Sequence, residues 1–520
     1  MQPKKIVNIV NFIRSEDWRE DPKELNQTFL NQLELCKKYP MPYTFLMLYD
    51  AILKPEYVNP LLENTDPNME VGLWLELSRE AVERAGIHWD EPEGRTWTWH
   101  VHPGMLTGYT IPERARIIDE LMERFRSVFG HYPESVGCWI VDTFTVRYLK
   151  EKYDIKAICI CKEQYGTDGY TLWGGYYNQG YYPSKKNMFM PAQTKAEQMD
   201  VPVFRMLGPD PIYQYESALD ENYNASALQQ VVTMEPCWHH GQNENWVDWY
   251  LNANFCEEAM SFAYTQTGQE NSFLWKTFGK ALEMQLNKIY DGVKQNKWEV
   301  LSVAQTGAWF SQRYDMTPAT SMTALTDWKQ AGNQTVWYDC KNYRMNLHNK
   351  AGYPCIRDLF LFDENHPERY NEQPVTGARA VFDALPVIDG YRWGGNGIHS
   401  AMYFVKPGTE EKVKGHILSV TSENGSTLKI TLELAGEEVI CVCDENGVRL
   451  MYSNTAFDLL FRYQDLCDTR IAEIRDNAVV YEHDGARYGI SLSCSVSGED
   501  KGFRISPQEG RFTLRFVRER

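Results

Sequence analysis

Short apolar runs alternate with amphipathic helical stretches through the first half of the chain. The runs are Lys5 to Phe12, Tyr43 to Tyr49, Glu70 to Leu77, Ser135 to Val141, Ala157 to Cys161, Val201 to Leu207, Gln230 to Met234 and Ser261 to Tyr264. Alternation of this kind marks βα units around a parallel sheet, and this many strands points to a (β/α) barrel. Between the third and fourth runs, Thr110 and Glu113 form a capping box with Pro112 in the first turn. Ile117, Leu121, Phe125, Val128 and Phe129 then repeat with helical spacing, and Gly130 ends the segment. A second long helix is predicted from about Leu274 to Gln295, with Leu282, Leu286, Ile289 and Val293 on one stripe.

From about Thr376 the periodicity changes to two. Leu428, Ile430, Leu432 and Leu434 alternate with Lys429, Thr431 and Glu433, and Asp444-Glu445-Asn446-Gly447 has the chemistry of a tight turn. The pattern predicts an α/β barrel over residues 1–300, a helical or irregular connecting region over 301–375, and an antiparallel β-sandwich over 376–520.

Composition narrows the function classes. A formal charge of −18 opposes the phosphate neutralisation that nucleic-acid binding needs, and no basic tract offsets it, so neither nucleic acid nor an anionic membrane is an expected partner. No run is apolar and long enough to span a bilayer. Twelve cysteines lie without framework spacing, several inside strand-like runs, which predicts reduced thiols and a cytoplasmic location. A homo-oligomer stays open.

The candidate chemistry lies at strand ends, because in parallel barrels the loops there converge on one cavity. Asp142 follows Cys138-Trp139-Ile140-Val141, Glu235 follows Val231 to Met234, Asp210 comes soon after Val203 to Leu207, and Glu270 follows the last run. Asp50 and Glu76 hold similar positions; an acid just past a strand is often a helix N-cap, which is the alternative for Asp50 and Asp210, and the alternative for Glu76 is the start of the next helix. The segment Tyr170 to Tyr182 contains six aromatic rings and no charge, with Trp173, Tyr176 and Tyr177 at its centre. Flat rings suit the C–H faces of sugars, and the alternative is a packed seam between domains. Trp97, Trp99, Trp139, Trp238, Trp246 and Trp249 add rings near other strand ends, where His100 and Arg205 could orient hydroxyls. A metal site could be drawn from His100, His102, His239 and His240, but their spacing carries no zinc signature, and the expectation is no metal and no cofactor.

The order of elements adds a resemblance. Glu70-Val71-Gly72-Leu73-Trp74, then Phe129-Gly130-His131-Tyr132-Pro133 leading into Gly137-Cys138-Trp139-Ile140-Val141-Asp142, resembles the glycoside hydrolase and polysaccharide deacetylase superfamily over about residues 5–270. That resemblance implies an irregular seven-stranded (β/α) barrel and a carbohydrate substrate. In the family 57 pattern, Gly-x-Trp precedes the nucleophilic carboxylate, which places Asp142 in that role with Asp for the usual Glu. The acid partner comes late in the barrel, where Gly268-Gln269-Glu270 is similar only loosely, so Glu235 and Asp210 stay in contention. The deacetylase pattern has paired aspartates at the end of strand one and His-x-x-x-His after the third. Here strand one runs into Arg14, Ser15, Glu16 and Asp17, and no histidine sits near Gly72. The expectation is a glycoside hydrolase using two carboxylates, with a metal-dependent deacetylase and a non-catalytic carbohydrate-binding protein as rivals.

Overall fold

The computed structural model describes residues 3–92, 94–165, 169–216, 231–395, 399–453, 457–507 and 510–519. Its first half holds a largely parallel sheet, nearly closed into a barrel. The parallel strands are β1 (Lys4–Ile13), β2 (Tyr43–Met47), β3 (Met69–Trp74), β4 (Ser135–Gly137), β5 (Ala157–Ile160), β6 (Val203–Arg205) and β7 (Phe262–Thr267). β1 is central, with Val10 paired to Thr44 on one edge and Lys4 to Phe262 on the other. Two short strands complete the sheet: Gly180–Tyr181 runs antiparallel to β6, and Glu299–Val300 runs parallel to β1. Both faces of these strands are covered, so β2 and β7 are buried throughout; β2 reads as a largely apolar run, while β7 ends in the buried polar residues Thr265, Gln266 and Thr267.

The expected strand at Gln230 to Met234 does not form. Gln230 lies outside the described residues, and 231–234 make only an isolated bridge between Pro209 and Thr233. Competing partners take the backbone: Gln214 Oε1 accepts from the Val232 N–H at 2.7 Å, and Leu207 O accepts from the Met234 N–H at 3.0 Å.

Among the helices, α1 (Pro22–Lys37) and α2 (Ile111–Phe129) pack outside the barrel, followed in the chain by α3 (Thr143–Tyr153) and α4 (Trp275–Lys294). α2 matches the reading of its sequence closely. Glu113 accepts from the Thr110 N–H at 2.9 Å, Ile117, Leu121 and Phe125 are buried, and Gly130 closes the helix at φ +81°.

The stretch 301–375, expected to be helical or irregular, holds one α-helix, Val303–Arg313, then four antiparallel strands from Thr320–Ala324 to Tyr353–Leu361 and a short 3-10 turn at Arg369–Asn371. Antiparallel pairing therefore begins at Thr320 rather than near Thr376. These strands were hidden because they are buried on both faces, as in Tyr343–Lys350, which removes the alternation that marks a half-exposed strand. Two antiparallel sheets result, of nine and eight strands. The alternation at Thr427–Leu434 belongs to the second, with every other residue buried. The two sheets touch through Tyr343 and Phe516, whose rings lie 4.6 Å apart.

Candidate active site

The carboxyl ends of the barrel strands surround a cavity of about 880 Å³. Arg14 enters it directly after β1, Glu76 two residues after β3, Trp139 two after β4, Lys162 two after β5, Leu207 two after β6, and Glu270 three after β7. Only the loops at this end converge on a common space, which is why reactive groups of such barrels gather there.

The centre is a charge cluster built on Arg14, which is 1% exposed. Its Nη2 donates to Glu76 Oε2 at 3.0 Å, and its Nε lies 2.5 Å from Glu270 Oε1 in an ion pair that lacks the alignment of a hydrogen bond. The guanidinium also sits 4.0 Å from the centre of the Trp97 ring. Glu76 is saturated: besides Arg14 it accepts the indole N–H groups of Trp74 at 3.0 Å, Trp139 at 3.2 Å and Trp97. One carboxylate thus orients three tryptophans. Phe12 continues the aromatic floor at 4.4 Å from Trp74.

Glu270 is positioned by a clamp between distant loops. Asn271 Oδ1 accepts from the Arg14 N–H at 3.0 Å, and Asn271 Nδ2 donates to Arg14 O at 2.7 Å. Before it, Gly268 adopts φ +126°, and a Cβ there would fall 1.8 Å from Val10 O, so only glycine allows the turn that brings Glu270 inward. Ser272 Oγ donates to Glu270 Oε1 at 2.7 Å. Burial raises the proton affinity of Glu270 above the ordinary carboxylate range; Arg14 opposes this, Glu76 reinforces it, and burial prevails. Glu235 also lines the cavity and accepts from Thr233 Oγ1 at 2.9 Å.

Ten of the residues singled out from sequence line this cavity: Glu76, Glu235, Glu270, Trp97, Trp99, Trp139, Trp238, His100, His239 and His240. The others lie elsewhere. Asp142 is fully buried as the N-cap of α3, where it accepts from the Thr145 N–H at 3.0 Å and from Thr145 Oγ1 at 2.7 Å and forms an ion pair with Arg114 Nη1 at 3.0 Å. Asp210 accepts from the N–H groups of Ile212 at 2.8 Å and Tyr213 at 2.7 Å and from the Trp246 indole at 2.9 Å, and burial pushes its pKa up to about 6. Arg205 is spent on Cys161 O at 2.8 Å and Tyr176 O at 2.9 Å.

The aromatic segment is a seam rather than a platform. Tyr177 stacks on Trp337 at 3.8 Å, Trp173 lies 4.7 Å from Tyr391, and the Tyr176 hydroxyl donates to Pro318 O at 2.8 Å, so all three face the antiparallel sheet. Tyr170 alone of the segment's rings reaches the cavity.

Arg14, Glu76 and Trp97 carry the site without having been ranked as its members. The available signal was Arg14 itself: a cation ending a buried apolar strand needs a carboxylate partner as much as the reverse.

The histidines do not converge. His100 Nδ1 lies 2.8 Å from Glu91, His102 Nδ1 lies 2.8 Å from Gly108 O, and burial, with help from His239, lowers the His240 pKa to about 4. Where the deacetylase pattern places carboxylates after strand one stands a guanidinium, which cannot ligate a cation. Among the described residues, no group of three or more His, Cys, Asp or Glu side chains is arranged to hold a metal ion. The donors among the described residues do not fit a divalent cation.

No family model and no curated protein matches the chain. Its fold has counterparts among solved structures. A glycoside hydrolase/deacetylase candidate from Parabacteroides distasonis is 14% identical, covers 76% of this chain and 93% of its own, and superposes with a TM-score of 0.55. Polysaccharide deacetylase candidates from Mycobacterium smegmatis (13% identity, 59% and 90% coverage, TM-score 0.36) and Pseudomonas aeruginosa (11% identity, 60% and 92% coverage, TM-score 0.36) are more distant. The likeness to the P. distasonis protein concerns the fold. No helix among the described residues is long and apolar enough to cross a membrane.

Proposed function

We propose that this chain is a hydrolase acting on carbohydrate, with Glu270 as the proton-carrying acid and Glu235 as the second carboxylate. One observation carries the reading: a carboxyl group whose proton affinity burial raises opens onto a cavity walled by Trp97, Trp99, Trp139 and Trp238. The description of the P. distasonis protein as a glycoside hydrolase/deacetylase candidate supports a carbohydrate substrate. The reading takes the barrel as the irregular seven-stranded kind that the sequence resembles.

In glycoside hydrolysis, protonated Glu270 gives its proton to the leaving oxygen as the C–O bond breaks. Glu235 takes a proton from the water that attacks the anomeric carbon, and exchange with solvent restores both groups. Arg14 holds Glu270 in place and stabilises the anion left after transfer. Because the protonated form of Glu270 is the active one, the rate falls as pH rises through its elevated pKa. Asp142 has no role in this scheme. Deacetylation in the same cavity is the second reading, favoured by the double description of the P. distasonis protein.

The test is to assay Glu270→Gln and Glu235→Gln on neutral and N-acetylated oligosaccharides, following new reducing ends and released acetate. Each substitution is expected to lower the rate by about 10²- to 10⁴-fold. Full activity in both variants refutes the assignment, and acetate release without new reducing ends replaces glycosidase with deacetylase.

A further inference from the structure

Apolar surface left in water is unfavourable, and single exposed side chains occur on every protein, so their distribution matters more than their number. Among the described residues, the exposed large aromatic side chains are Trp18 at 51%, Tyr165 at 41% and Trp238 at 40%. Two of the three belong to the rim of one cavity, while Tyr165 packs on Tyr391 at 5.4 Å. Trp238 lines the cavity. Trp18 lies 5.9 Å from the lining ring of Trp99.

The rings form stations on different loops. Trp18, from the loop after β1, is backed by Trp99, and the Arg95 guanidinium sits 5.7 Å from its ring. Trp238, from the segment before β7, pairs with Phe273 at 5.9 Å, just past Glu270. Each station joins an exposed face to a ring already inside the cavity, so the aromatic surface is continuous from interior to rim. The cavity's volume of about 880 Å³ is near the top of the range of about 300–1,000 Å³ usual for small-molecule sites.

We propose that the substrate is a glycan chain rather than a single sugar, with Trp18 and Trp238 stacking on units beyond the one at Glu270. The inference rests on the carbohydrate reading above and adds the length of what is bound. A pyranose face covers an indole while its hydroxyls stay hydrated, which suits a half-exposed ring, and Arg95 beside Trp18 offers donors to those hydroxyls.

The test uses cello-, xylo- and chito-oligosaccharide ladders of about one to six units, titrated by calorimetry into the full chain and its Trp18→Ala, Trp238→Ala and Trp18→Tyr variants. For the ladder that binds, affinity is expected to rise about tenfold or more from one unit to four, as one extra stacked unit can supply. Trp18→Ala and Trp238→Ala should each remove most of that rise, Trp18→Ala without weakening the single sugar, and Trp18→Tyr should restore part of it. Equal affinity for short and long members, or a full length dependence in both alanine variants, overturns the inference while leaving a carbohydrate site in place. No binding of any ladder overturns both.

Discussion

The cavity and the aromatic seam are made of the same materials. In the cavity, Arg14 joins Glu76 and Glu270 under a set of tryptophans. In the seam, Arg344 joins Glu163 at 2.8 Å and Asp358 at 2.6 Å, with Trp337 and Phe360 against its guanidinium. What separates them is coverage. Strands from after residue 320 close over the seam, so its charges are taken up by one another and by neighbouring groups such as Gly175 O, the Gly174 N–H and the Tyr215 hydroxyl. The loops of the barrel leave one side of the cavity open. Composition therefore identifies a cluster of rings and charges, and only the partner surface decides whether it is a joint or a site.

Removing one member of each cluster should separate the two most strongly. Arg344→Met leaves Asp358 buried without this counter-charge and Glu163 with Arg205 at 3.4 Å, and should cost about 3–5 kcal/mol in urea unfolding, with glycan binding lost only in step with folding. A well-folded variant of unchanged midpoint would mean that the seam is not the joint described here.

Asp142 sharpens the comparison, since its sequence context resembles that of a nucleophile while its contacts are those of a cap. Asp142→Ala should lower stability by about 2 kcal/mol or more, at the upper end for a lost cap because Arg114 also loses its partner. The activity of the folded fraction should be unchanged. A drop of a hundredfold or more at full folding would return Asp142 to the chemistry.

A smaller effect concerns Glu368, which accepts from Thr143 Oγ1 at 2.7 Å beside Asp142. Burial, reinforced by the Asp142 charge, raises its pKa from the ordinary 4.5 to about 8. The folded state thus favours the protonated form. The stability this supplies is complete below pH 4.5 and is lost as pH rises through about 8. Glu368→Gln should flatten that slope in thermal melts recorded across this window. An unaltered slope would show that Glu368 titrates normally.

Much of the framework was legible because local pattern and final environment agree. Thr110, Glu113 and Gly130 bound a helix by chemistry confined to a few residues, and Leu428 to Leu434 alternate because one face of their strand is covered. The misreadings came where the deciding partner is far along the chain. Nothing near Tyr177 announces Trp337, and nothing near Asp142 reveals that Arg114 and Thr145 will occupy its oxygens. Glu76 was discounted as the start of a helix, although Trp74 two residues earlier already supplied one of its donors.

The clamp between Asn271 and Arg14 sets an order of events during synthesis. It joins positions 257 residues apart, so the pocket cannot exist on a nascent chain that has not yet released β7 and the turn beyond it from the ribosome. Until then Arg14 and Glu76 have each other and the surrounding tryptophans, and the emerging polypeptide carries the floor of the pocket without Glu270. The pocket is completed late and all at once, when β7 docks against β1.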